Sequence, residues 1–90
     1  MFELIEYREP AGPPTGDPPR ETHLGTFDQE ADAITVGRDA WRAHRATGSR
    51  DVVWWLVRVP GESLARWIAD SASPTERVLD LTTNRLVEIR

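Results

Sequence analysis

The order of apolar and polar residues along the chain predicts one helix among several strands. Residues 2–8 combine aromatic and β-branched side chains as strands do, and residues 22–27 form a short extended segment. Residues 52–59 are apolar at nearly every position, which is typical of a central strand buried on both faces. Residues 77–81 and 85–89 resemble the two arms of a hairpin. The pattern favours an α+β fold with a mostly antiparallel sheet, in the order β-α-β-β-β-β.

The helix is predicted to begin after Asp28, whose carboxylate can cap the first free amides, and to end before Gly48. Glycine at position 37, in the middle of its inner face, costs about 1 kcal/mol in helix propensity. A close approach of the helix to the sheet would offset that cost. At 100° per residue the inner face consists of Ala33, Ile34, Val36, Gly37, Ala40, Trp41 and His44.

Residues 62–70 fit two structures. As a helix, Leu64, Trp67 and Ile68 would share one face. As a strand, the segment would form a hairpin with residues 52–59 across a turn at 60–63, and two further strand-like segments follow it. We favour the strand, and the helix stays open as the alternative.

The hairpin of residues 77–81 and 85–89 is predicted to have a three-residue loop closed by Asn84 in the left-handed region, with Leu79 opposite Val87. Together the hairpins divide the sheet into two faces. The face expected beneath the helix carries Val53, Trp55, Val57, Val59, Leu64, Ile68, Leu79, Leu81, Val87 and Ile89. The opposite face carries Val52, Trp54, Leu56, Arg58, Ala65, Trp67, Ala69, Val78, Asp80, Leu86 and Glu88.

The segment 9–21 contains five prolines and two glycines, which suit a loop better than a strand. We therefore predict a single domain over residues 1–90 with a mobile, proline-rich loop at 9–21. Ninety residues are enough for one core and no more.

Charge and composition narrow the classes of partner. The net charge is −4, which disfavours nucleic acid and anionic lipid, and all eleven basic residues are arginine, as in proteins of GC-rich bacterial genomes. The chain has no cysteine, no apolar stretch long enough for a membrane span, and no basic, apolar leader at its start. We expect a small cytoplasmic bacterial protein without disulfides.

Motifs for chemistry are few. His23 and His44 are far apart in the sequence. His44 is interpreted as an edge residue near the C-terminus of the helix, where the helix dipole favours a positive charge. The run Ser73–Glu76 matches a capping box and is interpreted as a tight turn or a single helical turn. No spacing typical of a catalytic, metal or cofactor site is present, so we expect no enzyme, no cofactor and no identifiable small-molecule ligand.

One surface has the composition of an interface. Tryptophan and arginine are enriched in protein–protein contacts, and no second helix is predicted to cover the face opposite the first one. We therefore hypothesise an interaction module of unknown pathway whose partner is another protein or a second copy of itself. The interaction residues would be Trp54, Leu56, Arg58, Trp67 and Ala69. Alternatives are a DNA-binding sheet face, a small enzyme, and a patch covered by the chain's own N-terminal segment or proline-rich loop.

Overall fold

A computed structural model describes residues 1–9, 16 and 18–89 of the chain. It contains strands β1 (Phe2–Glu9), β2 (Arg20–Phe27), β3 (Val52–Arg58), β4 (Trp67–Asp70), β5 (Glu76–Asp80) and β6 (Arg85–Ile89), and the helix α1 (Glu30–Thr47). The strands form one sheet in the order β2-β1-β3-β4-β5-β6, and every neighbouring pair is antiparallel. The predicted α+β fold, with one helix packed on an antiparallel sheet, is confirmed.

The order of elements is β-β-α-β-β-β-β, so the prediction missed one strand. The segment expected to be merely extended pairs along its length with β1, from Phe2 opposite Phe27 to Arg8 opposite Arg20. The predicted loop at 9–21 is correspondingly too long, because Glu9 belongs to β1 and Arg20 and Glu21 to β2. Of the rest of that segment, residues 16, 18 and 19 belong to no helix or strand, and residues 10–15 and 17 lie outside the described residues.

The helix ends as predicted but begins later. Gly48 follows its last turn with a φ of 69°, in the left-handed region that glycine adopts without strain. At the other end Gln29, not Asp28, is the N-cap residue, and it makes no side-chain capping bond. The prediction of Asp28 as the cap is wrong.

The core lies between α1 and the sheet, over β2, β1, β3 and β4. Gly37 is buried at the centre of the helix face and rests against the ring of Trp67, which is the close approach predicted from a glycine at this position. The Trp41 indole N–H anchors the end of the helix by donating to the carbonyl of Asp70 at 2.8 Å. The buried cluster comprises Leu4, Ala33, Trp41, Val53, Trp55, Val57, Trp67 and Ala69.

The register of β4 differs from the prediction by one residue. Val57 pairs with Trp67, whereas a tight hairpin would have placed Val59 opposite Leu64. The connection is longer than expected: Glu62 N–H bonds to the carbonyl of Val59, and regular pairing resumes only at Arg66. Because side chains alternate, this slip exchanges the two faces of β4. Trp67 and Ala69 therefore lie beneath the helix, and Ile68 points the other way.

A second slip of the same size separates β5 from its predicted register. Val78, not Leu79, lies opposite Val87, and Asp80 pairs with Arg85. The loop consequently has four residues, closed by a bond of 2.7 Å from Asn84 N–H to the carbonyl of Asp80. Asn84 does adopt the predicted left-handed conformation, with a φ of 59°. Val78 and Asp80 therefore belong to the helix side and Leu79 to the opposite face, while Leu64, Ala65 and Leu81 lie in connections.

Candidate interaction surface

The face of the sheet opposite α1 carries a band of large apolar side chains across four strands. Cross-strand pairing places Leu56 opposite Ile68 and Leu79 opposite Leu86 on this face. Each is partly exposed, and no other helix or strand of the described chain lies over them. We call this surface the open face and define it by Trp54, Leu56, Ile68, Leu79 and Leu86.

One half of the same sheet face is already shielded by the chain's own side chains. Ile5 lies there on β1 with only 1% of its surface exposed, although the helix is on the other side. Arg58 on β3 donates to Glu3 at 3.0 Å and reaches Glu21 on β2 at 3.4 Å. Its guanidinium therefore crosses β1 where Ile5 lies between Glu3 and Tyr7. This arrangement covers Ile5 and leaves the β3–β6 half of the face as the apolar surface.

Charges at the rim of the open face occur in pairs. Hydrogen bonding to Glu3 raises the pKa of Arg58 and so favours the charged form of the guanidinium. On the other side of Ile68, Arg77 lies 4.0 Å from Asp70. The rim is thus polar, with more carboxylates than arginines, and the centre is apolar, as in protein–protein interfaces.

Three of the five predicted interaction residues lie on this side of the sheet, and two do not. Trp54, Leu56 and Arg58 are partly exposed on the face away from α1. Trp67 and Ala69 are 0% and 2% exposed, within the core, so the prediction that they share a face with Trp54 is wrong. Ile68 and Leu79, which take their place, were predicted on the helix side, and the two register slips move them to the open face.

Neither histidine forms a metal site with its neighbours. His44 is buried against Trp55, with ring centroids 5.4 Å apart in an edge-on arrangement, so its interpretation as an edge residue is wrong. His23 is exposed on β2, 3.3 Å from the Thr26 hydroxyl. Within residues 1–9, 16 and 18–89, no group of three or more histidine or acidic side chains could hold a metal ion.

An ion pair between α1 and β5 lies on the helix side of the sheet. Arg38 Nε donates to both carboxylate oxygens of Glu76, at 2.7 and 2.9 Å, and Nη2 donates as well. These hydrogen bonds lower the pKa of Glu76, against the opposing effect of its burial. Glu76 therefore lies in β5 and pairs with Arg38. Ser73 forms a turn in which its hydroxyl is hydrogen-bonded to the backbone of Thr75.

Two further observations bear on the class of protein. None of the helices in the described part of the chain has the length and apolar character needed to cross a membrane. Comparison of the chain with protein-family models, with curated proteins and with solved structures found no match.

Proposed function

We propose that the chain is a small protein–protein interaction module that forms a homodimer through its open face. The observation that carries this proposal is the band of five large apolar side chains on a sheet face without a covering layer in the described structure. Leaving such a band in water is unfavourable by about 25 cal/mol per Å² of apolar area. Association removes that cost.

The geometry of the face is compatible with a second copy as the partner. The apolar side chains lie on four neighbouring strands, β3 to β6, and form one continuous patch. A two-fold axis through the centre of the open face would place the same patch on itself.

The charges of the face support a protein rather than a nucleic acid. Its two arginines are already matched by carboxylates, Arg58 by Glu3 and Glu21, and Arg77 by Asp70. Binding to phosphates gains its affinity from cations that lack such partners. A phosphate backbone would meet acidic groups here, among them Glu21, Asp70 and Glu88.

The test uses sedimentation velocity together with quenching of tryptophan fluorescence. Trp41, Trp55 and Trp67 are at most 7% exposed, so acrylamide quenching reports mainly on Trp54. We expect the parent protein to sediment as a dimer at micromolar concentration, with Trp54 becoming more quenchable on dilution. The variant Trp54→Ser/Leu56→Ser should be monomeric.

The matched control is Leu81→Ser, which removes an apolar side chain that is 68% exposed but belongs to the β5–β6 loop. It should sediment as the parent does. A parent protein that stays monomeric at all concentrations, with Trp54 freely quenchable, would contradict the homodimer.

A further inference from the structure

Helix α1 is off-centre on the sheet. It packs mainly on β2, β1, β3 and β4, and it contacts β5 through the side chain of Arg38, which pairs with Glu76. Strands in a sheet are about 4.8 Å apart and a helix is about 10 Å wide, so one helix covers two to three strands well. The helix-side surface of β5 and β6 is left beside the helix rather than beneath it.

The uncovered strip has an apolar centre, and the charged pair Asp80 and Arg85 lies at its loop end. Val78 and Val87 are cross-strand partners on the helix side, and Ile89 is two residues further along β6. Val87 is 44% exposed, and Val78 and Ile89 are partly exposed. Where the strip meets α1, a pocket of about 280 Å³ is lined by Arg38, Trp41, Arg42, Pro74, Thr75, Glu76 and Ile89.

The flank of α1 that borders this strip is basic. Arg38, Arg42 and Arg45 follow one another at spacings of four and three residues, which places them on one side of the helix. Glu76 neutralises Arg38, but Arg42 and Arg45 form no ion pair with any described residue. Arg45 lies over Trp41, 5.7 Å from the ring centroid, which keeps its charge at the flank.

We infer that this groove binds an acidic amphipathic helix of a partner protein. We call it the flank groove and define it by Val78, Val87, Ile89, Trp41, Arg42 and Arg45. A helix lying beside α1 would cover β5 and β6, bury the apolar strip and complete the layer that α1 begins. Acidic residues along its edge would meet Arg42 and Arg45, which form no direct ion pair, whereas basic residues there would be repelled.

The probes are two synthetic peptides of about 15 residues, a length at which helices form readily on binding. Both carry leucines at helical i, i+3, i+4 and i+7 spacing on an alanine background, one with glutamates and the other with lysines beside the leucines. Binding to the full chain is followed by NMR amide shifts. We expect the acidic peptide to shift Arg42, Val87 and Ile89, and to bind about tenfold more tightly than the lysine peptide.

Two protein variants locate the charge effect. Arg42→Gln/Arg45→Gln should weaken the acidic peptide about tenfold, and Arg42→Glu/Arg45→Glu should reverse the preference between the peptides. The glutamine variant avoids acidic groups at the helix C-terminus and so preserves folding. The variant Trp54→Ser/Leu56→Ser should bind the acidic peptide as the parent does, so a failure of the homodimer and a failure of this groove are distinguishable.

Four results would overturn the inference: equal affinity for both peptides, shifts confined to the open face, no binding of either peptide, or an unchanged preference in the arginine variants. Shifts of Val87 and Ile89 that depend on protein concentration alone would also overturn it. In that case a second copy of the chain occupies the groove.

Discussion

Gly37 lies directly over the ring of Trp67. A Cβ atom built on Gly37 would be 2.7 Å from Cζ3 of Trp67, closer than carbon atoms pack, and 3.1 Å from Cδ1 of Leu4. The helix therefore approaches the sheet at a distance that only glycine permits. Since Trp67 is fully buried, the ring cannot swing into solvent to make room.

This contact predicts that Gly37→Ala destabilises the protein. Alanine gains about 1 kcal/mol in helix propensity over glycine. Overpacking of a filled core typically costs about 1–3 kcal/mol, and the overlap here is with the most buried ring of the protein. We expect a lower free energy of unfolding in urea, despite the better helix former.

A double-mutant cycle separates the contact from other effects of the substitution. Phenylalanine lacks the outer ring atoms of tryptophan that approach Gly37, so Gly37→Ala should cost less in a Trp67→Phe background. Equal costs in the two backgrounds would show that the helix does not rest on this ring.

The ion pair between Arg38 and Glu76 should contribute measurably to stability. Arg38→Met keeps the aliphatic stem but leaves a largely buried carboxylate without its donor, which costs about 1–3 kcal/mol. The matched control is Arg77→Met, whose partner Asp70 is 4.0 Å away and whose own side chain is 47% exposed. The control should change the free energy of unfolding by less than about 0.5 kcal/mol. Similar losses in the two variants would contradict a special role for the Arg38–Glu76 pair.

Stability should also depend on pH through Glu76. Hydrogen bonds from Arg38 hold the pKa of Glu76 below its ordinary value of 4.5 in the folded chain. Its contribution is therefore fully present above the unfolded-state pKa and is lost as pH falls through the lower folded-state value. Urea unfolding between pH 7 and pH 3 should show the parent losing its advantage over Glu76→Gln below about pH 4.5. An advantage that is constant over this range would show that the pair does not shift the pKa.

The β5–β6 loop depends on the backbone conformation of Asn84. Its φ of 59° lies in the left-handed region, which costs a β-branched residue about 1–2 kcal/mol. Asn84→Val should lower the melting temperature, whereas Asn84→Gly should leave it unchanged or raise it slightly. A tolerated valine would mean that the loop closes in another way.

Local features of the fold followed from local chemistry. The helix and its end at Gly48, the central strand, the hairpin near the C-terminus and the left-handed Asn84 each follow from the properties of a few adjacent residues. The inner face of the helix could also be predicted, because its 3.6-residue period is set by the helix itself. The same period places Gly37 in the middle of the inner face, and this position predicted the close approach of the helix to the sheet.

The candidate site depended on registers that the sequence analysis did not fix. Trp54, Leu56 and Arg58 were placed correctly, since they alternate with buried residues within a single strand. Trp67 and Ile68 were exchanged because both are apolar and either fits either face of β4. The sequence offered one hint, that the gap left by Gly37 requires a large ring beneath it, and this ring is Trp67.

Alternation within a strand, turn chemistry and helix periodicity are short-range properties, and the sequence by itself determined them. Which face of β4 and β5 meets the helix depends on the lengths of two connections, and a change of one residue in either reverses every side chain that follows. Only the tertiary structure decided those lengths. With these lengths, Trp67 fills the space between β3 and the helix at Gly37. This contact joins residues that are far apart in the sequence, so the residues next to Trp67 in the chain do not predict it.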